Sequence, residues 1–178
     1  MVLLIIMFPL FVLIIVAYLL TLNLPLFFFQ DRIGRDLQPF RMVKFRTLKD
    51  VESQKSLMSR QFLLGTILRF LSLDELPQLI QVLSGKMSLV GPRPLPVAYL
   101  ESMTEEQRKR HQLLPGISGL TQIQRRHQIS WEKKFELDLY YLNHVSFKLD
   151  FIILLKTIVL LLSFRQDKSL QEEALKKQ

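Results

Sequence analysis

This sequence predicts an α+β fold, mainly helical, on three observations. The first 30 of the 178 residues carry no charge, and Met1 to Leu20 is almost unbrokenly apolar. Between Leu26 and Leu48, two runs rich in aromatic and β-branched residues flank Gly34-Arg35-Asp36, the pattern of a β-hairpin. From Phe62 onward, apolar stretches of helical length are punctuated by Pro, Gly and capping patterns. The length fits one domain with a single core.

The first stretch is read as a retained membrane helix, 1–24. Twenty helical residues reach about 30 Å, one hydrocarbon thickness. It lacks the basic start and small-residue cleavage site of a secretory signal. Pro9 removes a hydrogen bond and crowds the preceding turn, so a kink is expected there. The bent helix either crosses the bilayer or turns back to the face it entered, and its length favours the crossing. Net charge is +8, and residues 31–60 hold eight Lys or Arg against four Asp or Glu. That bias places this flank on the cytoplasmic side and suits anionic lipid or a polyanionic substrate. No nucleic-acid motif accompanies the charge, so nucleic acid is not expected as a partner. The absence of Cys excludes disulfides and thiolate metal sites.

Arg32, Arg35, Arg41, Lys44 and Arg46 make the hairpin basic, either as a ribbon facing headgroups or as a substrate surface. Residues 49–60 are polar and read as a loop, and Phe62 to Leu71 as a helix. Ser72 and Glu75 then form a capping-box pattern with Asp74 beside them, and Pro77 fits the first turn of a helix running to Ser84 and stopped by Gly85. Free N–H groups at such a start can receive a phosphate. Two carboxylates there would repel it unless a divalent cation sits between, Mg²⁺ above all. Asp74 reads as a nucleophile, Glu75 as a metal ligand and Arg69 as a neutralising charge; the plainer alternative is an ordinary helix cap.

Arg93 lies between Pro92 and Pro94, which hold the backbone extended and pre-position its guanidinium for phosphate; the alternative is a rigid turn with Arg93 in water. Thr104 to Gln107 fits a second capping box, and Arg108-Lys109-Arg110 after it reads as a solvated face. Pro115 to Gly119 makes a tight connection that a ligand could approach closely. Gln122, Arg125, Arg126 and His127 form a polar cluster. Ser130 caps a helix from Trp131 to about Asn143, with Trp131, Phe135 and Leu139 as a core stripe. Phe151 to Ser163 is too short to span a bilayer and reads as a buried or interface-lying helix. The tail 165–178 is polar, and His111, His127 and His144 have no metal-ligand spacing.

Taken together, six blocks carry a resemblance: Phe29 to Arg35, Lys44 to Thr47, Ser72 to Gln78, Met87 to Pro94, Pro115 to Leu120 and Ile129 to Phe135. In this order and spacing the chain resembles the bacterial sugar transferases known as small monotopic polyprenol-phosphate phosphoglycosyl transferases. The resemblance covers about Pro9 to Phe164. It implies transfer of a sugar phosphate from a UDP-sugar to polyprenol (undecaprenyl) phosphate, giving polyprenol-diphosphate sugar and UMP. The step so implied is the first in making a bacterial surface glycan or glycoprotein glycan. It makes Asp74 the nucleophile of an aspartyl phosphosugar intermediate, and Asp74 with Glu75 the Mg²⁺ site. Arg69 and Arg93 fall near the phosphates, Arg126 near the nucleotide, and Lys44 and Arg46 on basic positions. Residues 25–164 become a catalytic domain on the cytoplasmic face of the bacterial inner membrane, with membrane lipids and later glycosyltransferases of the pathway as further partners.

The chain departs from the family pattern at Phe8-Pro9, where members have Ser-Pro, and at Gln124-Arg125, where many have Asn-Gly. Only eight residues precede Pro9, a short start consistent with truncation and leaving re-entry and crossing both open. The alternative function is a membrane-bound interaction protein that kept the fold and lost catalysis. A basic peripheral module explains the charge but not the acidic pair.

Overall fold

The computed structural model describes residues 2–49, 60, 62–124 and 129–163. Helix α1 (Val2–Thr21) runs through Pro9 without a charged residue. Its two sides differ. Ile14 and Tyr18, one helical turn apart, are buried with Phe45, Phe62 and Leu68, whereas Phe8, Leu13 and Leu20 are exposed. The Tyr18 hydroxyl donates to the Arg46 carbonyl, tying the helix to the end of the hairpin. Among the described residues, no helix is long and apolar enough to cross a membrane.

Strands β1 (Phe27–Ile33) and β2 (Pro39–Phe45) pair antiparallel, from Phe27 opposite Phe45 to Ile33 opposite Pro39. The turn falls at Arg35–Leu37, beside the predicted Gly34-Arg35-Asp36, with Asp36 and Leu37 at positive φ. Side chains alternate across a strand. One face therefore groups Phe28, Gln30 and Arg32 with Met42 and Lys44, all of which line the cavity described below. On the hairpin's other side the Phe27 ring stacks on Phe45 in the core.

Helix α2 (Leu63–Phe70) lies where the apolar run predicts it. The capping box expected at Ser72 does not form. Ser72 is left-handed (φ 56°) and its side chain caps nothing. Residues Leu73–Glu75 form a single 3₁₀ turn, whose Glu75 and Leu76 N–H groups bond to the carbonyls of Ser72 and Leu73. The helix start that the capping-box pattern predicts at Ser72 is thus corrected to this 3₁₀ turn. Pro77 instead precedes α3 (Gln78–Leu83), which ends before Gly85 at φ 71°.

Strand β3 (Ser88–Val90) pairs in parallel with β4 (Gly116–Ser118). Their junction explains the glycines. A Cβ on Gly116 would stand 2.1 Å from the Gly91 nitrogen, and one on Gly91 2.4 Å from the Leu114 carbonyl oxygen. The tight connection from Pro115 to Gly119 thus admits a neighbouring main chain, that of Gly91. Between the strands, α4 (Glu105–Arg108) carries the predicted capping box of Thr104 and Gln107. The basic run after it is not uniformly solvated. Arg108 and Lys109 pair with Glu105 and Glu106, whereas Arg110 is only 1% exposed.

After the short α5 (Leu120–Ile123), Ser130 caps α6 (Trp131–Asn143), accepting from the Lys133 N–H. Phe135 of the predicted core stripe is buried, with Trp131 packed beside it. Helix α7 (Phe147–Leu162) buries Ile153 and exposes Phe147, Phe151, Val159 and Leu162. The described residues thus form a mixed, mostly helical fold with two small two-stranded sheets, as expected of an α+β chain.

Candidate active site

One cavity of about 390 Å³ gathers most of the residues singled out from sequence: Lys44, Arg46, Arg69, Asp74, Glu75 and Arg93. They come from four places along the chain. Lys44 projects from β2, and Arg46 follows it two residues on. Arg69 sits in the last turn of α2. The carboxylates lie on the 3₁₀ turn, and Arg93 is delivered by the proline-flanked segment after β3. Arg126 lies outside the described residues.

The structure adds cavity residues that the sequence did not assign. Arg32 and Arg60 bring the lining to six cationic side chains against two carboxylates, and Gln122 forms part of the wall. The signal for Arg32 was present in strand alternation, since it shares one hairpin face with Phe28, Gln30 and Lys44. Arg60 follows a polar stretch with no periodicity and gave no such signal. The basic hairpin therefore divides. Arg32, Lys44 and Arg46 turn to the cavity, Arg35 pairs with Asp36 in solvent, and the Arg41 guanidinium lies 5.2 Å from the centre of the Phe29 ring.

At the acidic end, the Lys44 Nζ lies 2.5 Å from Glu75 Oε1 and the Arg69 Nη2 donates to Thr47 Oγ1 at 2.5 Å. Asp74 is buried, 9% exposed, and within electrostatic reach of both Lys44 and Arg69. Burial first and the neighbouring Glu75 charge second raise its carboxyl from 3.8 to about 6, against the pull of Lys44 and Arg69. Desolvation, more than any lack of nearby cations, keeps the carboxyl raised. At neutral pH Asp74 is mostly an ionised carboxylate, held in a poorly solvated place. Such a group is a competent nucleophile toward phosphorus.

Among the described residues, no three or more His, Cys, Asp or Glu side chains come together as a metal cage. Mg²⁺ does not require one. It keeps several waters and takes one or two carboxylates together with substrate phosphates. Asp74 and Glu75, adjacent carboxylates with hard oxygen donors on the cavity wall, fit that requirement.

The family model for bacterial sugar transferases matches residues 1–164, and the chain belongs to that family. It is 49% identical over 143 residues to the uncharacterized sugar transferase EpsL of Bacillus subtilis (strain 168), covering 78% of this chain and 71% of that protein. It is 38% identical over 153 residues to the UDP-glucose:undecaprenyl-phosphate glucose-1-phosphate transferase of Escherichia coli (strain K12), covering 75% of this chain and 32% of the relative. The UDP-N-acetylgalactosamine-undecaprenyl-phosphate N-acetylgalactosaminephosphotransferase of Aeromonas hydrophila is 35% identical over 146 residues, covering 75% of this chain and 34% of that protein. The chain thus spans about a third of the length of these last two relatives.

Proposed function

We propose that this chain transfers a sugar 1-phosphate from a UDP-sugar to polyprenol phosphate, releasing UMP and leaving a polyprenol-diphosphate sugar. The observation that carries the reading is Asp74, a buried carboxylate raised to about 6 in a cavity lined by six cationic side chains. Relatives named for this chemistry support it. Their names differ in the sugar, glucose in one and N-acetylgalactosamine in the other, so the donor sugar is left to experiment.

The reaction divides into two displacements at one phosphorus. An Asp74 carboxylate oxygen attacks the phosphorus bearing the sugar, and the bond to the bridging oxygen breaks, so that UMP leaves with that electron pair. The product is a phosphosugar ester of Asp74, an acyl phosphate. A polyprenol phosphate oxygen then attacks the same phosphorus and the bond to Asp74 breaks, restoring the carboxylate. Splitting the transfer lets one site handle two substrates in turn. Arg69, Arg93, Arg32 and Arg46 supply positive charge along the cavity, where phosphate oxygens gain charge in each transition state. Asp74 and Glu75 would hold Mg²⁺, which when bound supplies Lewis-acid charge stabilisation to phosphate oxygens.

Access to a lipid acceptor requires a membrane surface. The exposed apolar faces of α1 (Phe8, Leu13, Leu20) and α7 (Phe147, Val159, Leu162) support such contact. We place the chain at the bacterial inner membrane with the cavity toward the cytoplasm, in keeping with the basic residues after α1. The test is UMP release from a panel of UDP-sugars, with and without polyprenol phosphate. Release with at least one donor is expected; silence across the panel, from folded protein in bilayers with Mg²⁺, would count against the reading.

A further inference from the structure

The segment that carries Arg93 to the cavity is pinned along its main chain. The Pro92 carbonyl accepts from the Gly116 N–H at 3.0 Å and the Leu95 carbonyl from the Ile33 N–H at 2.9 Å. The Pro94 carbonyl accepts from Arg32 Nη1 at 3.1 Å. Between these, the Arg93 carbonyl accepts from Nη2 of Arg110 at 2.8 Å. In contrast to this pinned backbone, the Arg93 guanidinium makes no hydrogen bond among the described residues and stands at the cavity wall.

Arg110 lies outside the cavity and is itself anchored. Its Nε and Nη2 lie 2.8 and 2.6 Å from Oδ2 of Asp138 on α6, and its guanidinium lies 5.9 Å from the centre of the Phe135 ring. The other oxygen of Asp138 accepts from the Thr121 hydroxyl. Arg110 and Asp138 are both nearly inaccessible, 1% and 3% exposed. A buried ion pair is weak ground for stability, because desolvation offsets most of its attraction. Its geometry supplies another reason for it. One planar guanidinium spans a fixed carboxylate and the carbonyl of a cavity residue, which a lysine ammonium lacks the fork to do in the same way.

We infer that Arg110, held by Asp138, is a positioning residue: it fixes the main chain at Arg93 so that the Arg93 guanidinium at the cavity wall meets a nucleotide phosphate already ordered. This rests on reading the cavity as the UDP-sugar site. Ordering the backbone before binding removes an entropic cost that binding would otherwise bear. The effect of Arg110 must then pass through Arg93.

A double-mutant cycle on UDP affinity, measured by calorimetry on the full chain, tests that dependence. Arg110→Lys should weaken UDP binding about tenfold when Arg93 is present, and less than about twofold in the Arg93→Ala background. A general structural defect would weaken both backgrounds alike; that result, or no weakening by Arg110→Lys, overturns the inference. Should Arg110→Lys fail to fold by circular dichroism, Thr121→Val loosens Asp138 while leaving both charges paired. Its loss should likewise vanish with Arg93→Ala and be absent in Thr121→Ser, and any other pattern overturns the inference. If the unaltered chain binds no UDP, the functional reading itself fails, and the role given to Arg93 falls with it.

Discussion

Replacing the proposed nucleophile should make the protein more stable. Asp74 is buried, and the fold raises its carboxyl from 3.8 to about 6. Between those values the native state holds a proton that the unfolded chain has released. Stability therefore falls as pH rises from about 4 to 6, and above pH 6 the full cost is present. The difference corresponds to about 3 kcal/mol. Asn has nearly the shape of the neutral carboxyl and does not titrate. Asp74→Asn should thus be more stable than the unaltered chain by up to about 3 kcal/mol at pH 7.5, or roughly 6–12 °C in melting temperature for a chain of this size. The gap should close below pH 4. Thermal unfolding in detergent or nanodiscs at pH 7.5 and 4 measures it, with UMP release followed in parallel and expected to be lost. If Asp74→Asn is inactive but melts lower than the unaltered chain at pH 7.5, Asp74 is not a group held at the expense of stability, and the electrostatic account of the cavity fails.

Other consequences follow from the same geometry. Mg²⁺ should raise the melting temperature of the unaltered chain more than that of Asp74→Asn or Glu75→Gln, as expected of a ligand bound through both carboxylates; equal shifts would remove the metal from them. His111 is held near 3 by burial and the adjacent Arg110 charge, so its contribution to stability is present above pH 6.5 and is lost as pH falls toward 3. His111→Gln should therefore flatten the acid limb of stability against pH, opposite in sign to the Asp74 effect, and an unchanged limb would contradict this. Gly116→Ala forces a Cβ to 2.1 Å from the Gly91 nitrogen, and a destabilisation of about 3 kcal/mol or more is expected by denaturant titration.

Much of the fold is legible because its signals are local. Strand alternation and a short turn place the hairpin, Thr104 and Ser130 cap the helices that they should, and Gly85 ends α3. Where sequence reasoning went astray, a tertiary contact overrode a local pattern. Ser72 and Glu75 have capping-box spacing, yet the chain must turn between α2 and α3 and spends those residues on a left-handed bend and a 3₁₀ turn. Arg110 sits in a basic run that looks solvated, but its partner Asp138 is 28 residues away and invisible to any short window. At Gly116 the crossing with Gly91 forbids a side chain, a long-range reason for the glycine that the local turn pattern does not show, while Ile117 beside it lines the cavity. The cavity residues were legible where a motif brought them out, as with Asp74 and Arg93. Arg60 joins them only through folding.

The central claim is that Asp74 becomes covalently attached to the sugar phosphate. Incubating the chain with Mg²⁺ and an accepted UDP-sugar, without polyprenol phosphate, and weighing the intact protein tests it most directly. The account predicts a gain of one sugar phosphate, mapped to Asp74, absent from Asp74→Asn and discharged when polyprenol phosphate is added. An active preparation that shows no adduct while UMP forms only when acceptor is present would point to direct transfer and contradict it.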